Sequence, residues 1–137
     1  MIGILIISHG TFGEALIHCA SHVLGKRPLR VRQVGVTIHD DPDSMLPVAQ
    51  ELVKQLDQGD GVLVLSDILG ATPSNLATRL LEPGRVEGVS GVNLPMLVRA
   101  LTYRESPLAV VVEKAMSGGT AGVVHLNTDQ CNAASGS

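Results

Sequence analysis

The chain has 137 residues, a formal net charge of −3 and 45% hydrophobic residues, with one Phe, one Tyr and no Trp. The scarcity of aromatic rings and the lack of a basic excess argue against nucleic acid and anionic membranes as partners. No apolar run reaches the ~20 residues of a membrane span, and the apolar N-terminus lacks the cationic start of a signal peptide. We therefore expect a cytoplasmic protein without membrane insertion.

Short apolar runs alternate along the chain with segments of helical periodicity. Strands are predicted at 2–7, 31–38, 62–65 and 86–90, with helices at 11–24, 44–56, 72–81, 95–103 and 106–117. A short edge strand is predicted at 121–126. We expect one domain over 1–126, followed by a disordered polar tail at 127–137.

Several local patterns set the ends and faces of these helices. Ser44 is the predicted N-cap of the second helix, which places Pro47 in its first turn. The Thr72 hydroxyl is predicted to cap the third helix. Gly118-Gly119 is predicted to end the last helix. Cys19, on the apolar stripe of the first helix, is expected to be a buried core residue.

Strict alternation of strands and helices predicts an α/β fold, with a parallel sheet covered by helices on both faces. In such sheets, ligands bind at the carboxyl ends of the strands, near the point where the strand order switches. The candidate residues are therefore those directly after each strand: 8–11, 39–41, 66–73 and 91–95. Because strands 1 and 3 are often neighbours in doubly wound sheets, we expect His9 and Asp67 to meet.

A histidine beside a carboxylate is suited to nucleophilic chemistry, since neutral imidazole, with an ordinary pKa of about 6.5, is a good nucleophile near neutral pH. Asp67 on one ring nitrogen of His9 would leave the other free to attack. Helix N-termini could then hold a phosphoryl group, with Gly10 and Gly70 allowing close approach and Thr72 adding a hydroxyl. In the simpler interpretation, His9 ends a strand and Asp67 caps a turn.

Three segments stand out at the predicted strand ends: ILIISHG at 4–10, DILGATPSN at 67–75 and GVNLPML at 91–97. Together they resemble the mannose-family IIA component of the bacterial sugar phosphotransferase system. Their order and separations are similar to those of the family, and the resemblance covers about residues 1–126. It implies a flavodoxin-like, doubly wound and mostly parallel sheet, with four parallel strands and a short edge strand, and a homodimer in which the last strand can cross to the other subunit.

The resemblance also implies an activity. His9 would accept a phosphoryl group from the histidine-containing phosphocarrier protein and pass it to a IIB component. Asp67 matches the residue that hydrogen-bonds the active histidine. Gly70, Ala71 and Thr72 match the loop that holds the phosphate. No cofactor or metal is expected, since donor and acceptor are both protein side chains.

Further positions follow from the same resemblance. Asn93 and Pro95 match the segment that flanks the site. Leu69 and Ser74 stand where the family often has an aromatic residue that contacts partners. Ala71 stands where the family commonly has a glycine. Because alanine has a Cβ, the backbone angle at this position is expected to be ordinary.

Two alternatives remain from the sequence. A tetrapyrrole metal chelatase would use His9, and perhaps His39, to hold a divalent metal. A regulatory module would use the same phosphorylation to control a partner. His18 and His22, four residues apart, are better explained as a solvated helix face than as a metal site, because zinc needs more than two ligands.

Overall fold

The structure is a computed structural model that describes residues 1–127. Its elements are β1 (Gly3–His9), α1 (Phe12–Leu24), β2 (Val31–Val36), α2 (Pro42–Leu56), β3 (Val62–Ser66), α3 (Thr72–Thr78), β4 (Val86–Ser90), α4 (Leu94–Thr102) and α5 (Leu108–Ala121). The four strands form one parallel sheet in the order β2-β1-β3-β4. The predicted α/β fold is confirmed. Of the predicted tail, residues 128–137 lie outside the described part.

Both faces of the sheet are covered by helices. Along β1, Ile4 and Ile6 enter a core cluster with α1, α4 and α5, whereas Leu5 and Ile7 enter a second cluster with α2 and α3. A strand buried on both faces is expected to be a continuous apolar run, as β1 and β3 are. No helix within residues 1–127 is long and apolar enough to cross a membrane.

The strand order brings the ends of β1 and β3 together. β1 pairs with β2 on one side and with β3 on the other, with Ile7 opposite Ser66. The chain leaves β1 toward β2, and it later leaves β3 toward β4 in the opposite direction. The loops after β1 and β3 therefore border the switch point, where open sheets of this kind bind ligands.

The glycine pair near the end of α5 does not end the helix. A Cβ on Gly118 would lie 2.6 Å from the Cβ of Arg99, and one on Gly119 would lie 2.8 Å from the Cε of Met96. These glycines let α4 and α5 pack closely, so the helix continues through them. The predicted stop at this pair was therefore wrong, because packing outweighed helix propensity.

The predicted edge strand at 121–126 is also wrong in this chain. Ala121 is the last residue of α5, and residues 123–125 lie in no helix or strand. Residues 121–127 are all exposed, and this segment pairs with none of the four strands described within residues 1–127.

Two further helix predictions differ from the structure. Asp41, not Ser44, is the N-cap of α2, and its carboxylate accepts a backbone N–H two residues on. Pro47 therefore lies inside the helix rather than in its first turn. In α1, Cys19 is exposed and Ile17 takes the buried place, because the face that packs on the sheet is rotated from the predicted stripe.

Candidate functional site

The structure brings His9 and Asp67 together at the switch point. His9 is the last residue of β1, and Asp67 directly follows β3. The ring Nδ1 of His9 lies 2.7 Å from Asp67 Oδ2, and the backbone N–H of His9 donates to the same oxygen at 2.9 Å. The other carboxylate oxygen accepts the backbone N–H of Ile68 at 2.8 Å. The Asp67 side chain is 10% exposed and that of His9 is 52% exposed.

These contacts set the electrostatics of the pair. Burial by itself raises the pKa of Asp67, but the hydrogen bonds from the backbone and ring of His9 and from Ile68 outweigh it and lower that pKa below its ordinary value. An ionised carboxylate can only accept hydrogen bonds, so the Nδ1 of His9 carries the proton. In the neutral ring, Nε2 then keeps its lone pair.

His9 and Asp67 form part of the wall of an open cavity of about 470 Å³. Phe12, Ile68 and Val92 complete the wall, which is mainly apolar. Ile68 and Val92 lie in the candidate segments after β3 and β4, but the sequence assigned neither of them a role, and Phe12 lies just outside the candidate segment after β1. Phe12 could have been found in the same way, because it comes three residues after the end of β1.

The turn after His9 packs tightly against β2. Gly10 has a φ of +53°, in the left-handed region that favours glycine, and its N–H donates to the carbonyl of Val36 at 2.9 Å. A Cβ on Gly35 would lie only 2.1 Å from the Gly10 carbonyl oxygen. The backbone that carries His9 is therefore fixed by two strands, β2 and β3.

The loop after β3 presents free backbone N–H groups. Gly70 has a φ of +86°, and Ala71 has an ordinary φ of −84°, as the sequence requires. Thr72 does not cap α3, because Ala71 occupies the N-cap position, and the exposed Thr72 hydroxyl has no protein partner in the described chain. Within residues 1–127, the backbone N–H groups of Leu69, Gly70 and Thr72 also donate to no protein acceptor.

Among residues 1–127, none of the remaining predicted residues forms a hydrogen bond with His9. Both polar atoms of the Asn93 side chain are hydrogen-bonded within the fold, since Oδ1 caps α4 and Nδ2 donates to the carbonyl of Gly119 at 3.1 Å. Pro95 packs against the end of α5. Ser74 is buried, which removes it from the partner-facing surface where the resemblance placed it. Leu69 is 79% exposed in the loop.

The geometry gives the chelatase alternative no support. In the described chain, no three His, Cys, Asp or Glu side chains are grouped so that they could hold a metal ion. His39 is exposed in the loop after β2. The rings of His18 and His22 touch, with centroids 4.8 Å apart, but they offer two ligands only.

Comparison with known proteins matches residues 3–116 to the family model EIIA-man, described as PTS system fructose IIA component. The mannose-specific EIIAB component of Escherichia coli is 30% identical over 124 residues, which is 85% of this chain and 38% of that protein. The fructose-specific EIIA component of Bacillus subtilis is 30% identical over 106 residues, 77% of this chain and 72% of that protein.

Solved structures agree with these relatives. An EIIA component from Streptococcus agalactiae has a TM-score of 0.83 and 26% identity, and the match covers 93% of this chain and 99% of that one. A PTS IIA protein associated with the fucose utilization operon of Streptococcus pneumoniae has a TM-score of 0.81 and 27% identity, with 93% and 95% covered.

This chain spans 38% of the length of the E. coli EIIAB protein that it matches. The matches nevertheless confirm both the family resemblance and the flavodoxin-like fold predicted from the three sequence segments. The chain belongs to the EIIA-man family of phosphotransferase-system IIA components.

Proposed function

We propose that this protein transfers phosphoryl groups through His9. It accepts the group from the histidine-containing phosphocarrier protein and passes it to a IIB component, for sugar uptake or its regulation. The observation that carries the proposal is the 2.7 Å contact between His9 Nδ1 and Asp67 Oδ2, which leaves Nε2 as the free nucleophile. The family supports the choice of donor and acceptor.

The transfer is an in-line displacement. The lone pair of His9 Nε2 attacks the phosphorus of the donor's phosphohistidine, and the P–N bond to the donor breaks as the new P–N bond forms. Positive charge develops on the His9 ring during this step. The ionised carboxylate of Asp67 stabilises that charge while it holds the ring in place. Transfer to the IIB component repeats the displacement with His9 as the leaving group.

The phosphoryl oxygens need hydrogen-bond donors, and the loop after β3 offers them. The N–H groups of Leu69, Gly70 and Thr72 have no protein acceptor in the described chain, and the Thr72 hydroxyl is exposed. Backbone donors held by the fold need little rearrangement as charge develops on the oxygens. We assign these groups to the phosphoryl oxygens, with Gly10 leaving room beside His9.

The apolar wall of the cavity is suited to contact with partner proteins that bind there one after the other. Phe12 and Ile68 are 42% and 60% exposed beside a histidine that must meet two different proteins. Covering them removes water from around His9, which strengthens the electrostatic contacts there and protects the phosphoryl group from hydrolysis. A cytoplasmic location and a homodimer belong to the same proposal, and light scattering in solution tests the dimer.

Labelling with the upstream system tests the proposal. The protein is incubated with labelled phosphoenolpyruvate, the first enzyme of the system and the phosphocarrier protein. We expect an acid-labile, base-stable phosphate that disappears in His9→Gln. His39→Gln, which changes an exposed histidine in another strand-end loop, is the matched control and should label normally. Normal labelling of His9→Gln would reject the proposal.

A further inference from the structure

Two buried polar groups behind His9 lack hydrogen-bond partners. Ser8, the residue before His9, is fully buried, and Gln33 lies in the neighbouring strand β2. Neither Ser8 Oγ nor Gln33 Oε1 has a partner among residues 1–127. An unpaired buried polar group is costly, so such groups are nearly always bonded to protein or to ordered water. The pair therefore calls for a physical explanation.

Both groups lie on the face of the sheet that packs against α1. Ile4 and Ile6 of β1 enter the cluster on that face, so Ser8 shares it, and Gln33 pairs in register with Ile6. The first turn of α1 lies above them. A Cβ on Gly13 of that turn would lie 3.0 Å from Ser8 Oγ and 3.2 Å from Gln33 Oε1. The two oxygens thus face a common point beneath the helix.

The pair formed by Ser8 and Gln33 borders the turn that carries His9. Gly35, which pairs in register with Ser8, lies on the same face and against the carbonyl of Gly10. A Cβ on Gly35 would also lie 3.7 Å from Gln33 Oε1. A movement of Ser8 or Gln33 would therefore displace the backbone of His9 and Gly10.

We propose that one internal water molecule links Ser8 Oγ to Gln33 Oε1, and that this link positions His9. A water molecule can donate to the Gln33 carbonyl oxygen and also bond the Ser8 hydroxyl, which donates and accepts. The link ties the carboxyl ends of β1 and β2 together beneath α1. Ser8 and Gln33 are positioning residues that act through the backbone of His9. Their effect on transfer rests on the function proposed above.

The link itself is tested in the unphosphorylated protein. In the native protein, NMR cross-relaxation should detect a long-lived water next to the backbone amide of Ser8. Ser8→Ala and Gln33→Met each leave the opposite group with one partner fewer, whereas the double variant removes both groups. We expect each single variant to lower the urea midpoint and the double variant to fall no further than the worse single. The absence of that water, or additive losses in the double variant, would overturn the link.

The positioning role is tested by transfer kinetics. We expect Ser8→Ala to lower kcat about tenfold with an unchanged KM for the phosphocarrier, since small displacements of a reacting group cost up to ~100-fold in rate. The ¹⁵N resonances of the His9 ring should shift in this variant. Ser8→Thr keeps the hydroxyl and should restore most of the rate.

Ser66→Ala is the matched control, because Ser66 is a buried serine in the same position before Asp67. It should transfer at the native rate with unshifted His9 resonances. Native kinetics in both Ser8→Ala and Gln33→Met would overturn the positioning role. If the native protein takes up no phosphate at all, the proposed function fails, but the water and the double-variant cycle still decide whether the link exists.

Discussion

A single oxygen of Asp67 accepts two hydrogen bonds from His9, one from the ring Nδ1 at 2.7 Å and one from the backbone N–H at 2.9 Å. The second oxygen is held by the N–H of Ile68. The carboxylate therefore fixes the ring relative to its own backbone as well as selecting its tautomer. A histidine held in this way presents the same nitrogen to every partner that approaches.

Replacing Asp67 by Asn tests that orienting role. An amide can still accept a hydrogen bond but carries no charge, so it selects the Nδ1–H tautomer less strongly and stabilises less positive charge on the ring. Hydrogen bonds to charged groups contribute about 1.5–3 kcal/mol, so we expect transfer to slow about 10- to 100-fold. Quench-flow measurement of the labelling rate checks this. Asp60→Asn, which changes an exposed carboxylate at the opposite end of the sheet, should label at the native rate.

The lowered pKa of Asp67 also makes part of the stability depend on pH. A group with a lower pKa in the folded than in the unfolded chain stabilises the fold above its unfolded pKa, and this contribution is lost as the pH falls through the folded pKa. We expect the native protein's excess in free energy of unfolding over Asp67→Asn to shrink between about pH 5 and pH 2. Urea unfolding at several pH values measures it. An excess that stays constant or grows over this range would contradict the assignment.

The central contact of the site could be predicted from the sequence because it follows from topology. Apolar runs predicted β1 and β3, and parallel neighbouring strands bring their carboxyl ends to one edge of the sheet. His9 ends β1 and Asp67 directly follows β3, so the two side chains meet at this edge. The ordinary backbone angle at Ala71 was equally predictable, since a residue with a Cβ rarely adopts a positive φ.

The features that sequence analysis missed depend on contacts between distant segments. Gly118 looks like a helix stop until α4 is seen packed against it. The flanking position expected of Asn93 did not indicate that its side chain caps α4 and donates to the carbonyl of Gly119 in α5. The buried face of α1 is selected by the sheet, so Ile17 rather than Cys19 faces the core. Local periodicity contains none of this information.

Asn93 should therefore matter for stability. Removing a capping side chain costs about 1 kcal/mol, and the bond from Nδ2 to the Gly119 carbonyl adds about 0.5–1.5 kcal/mol. We expect Asn93→Ala to lower the free energy of unfolding by the sum of these contributions. Asn93→Asp keeps the capping oxygen and loses only the donor, so it should fall between native protein and Asn93→Ala in chemical denaturation. Equal losses in the two variants would contradict the separate roles.

Gly118→Ala tests the close contact between α4 and α5, because the contact decides whether the variant gains or loses free energy of unfolding. In an exposed helix, Gly→Ala stabilises by about 1 kcal/mol. At Gly118, the new Cβ would press on Arg99, so we expect a net loss of about 1–3 kcal/mol in the free energy of unfolding. Ser117→Ala, on the exposed side of the same helix, should be neutral or slightly stabilising. A gain in stability in Gly118→Ala would show that α4 and α5 separate easily.

The nitrogen that carries the phosphoryl group tests the account most directly. NMR of the phosphorylated protein, with ³¹P and ¹⁵N-labelled histidine, distinguishes the two ring positions and identifies the residue. Because Nδ1 is held by Asp67, the phosphoryl group should be on Nε2 of His9. A phosphoryl group on Nδ1 of His9 or on another residue would contradict the account, as would its absence after incubation with the complete upstream system.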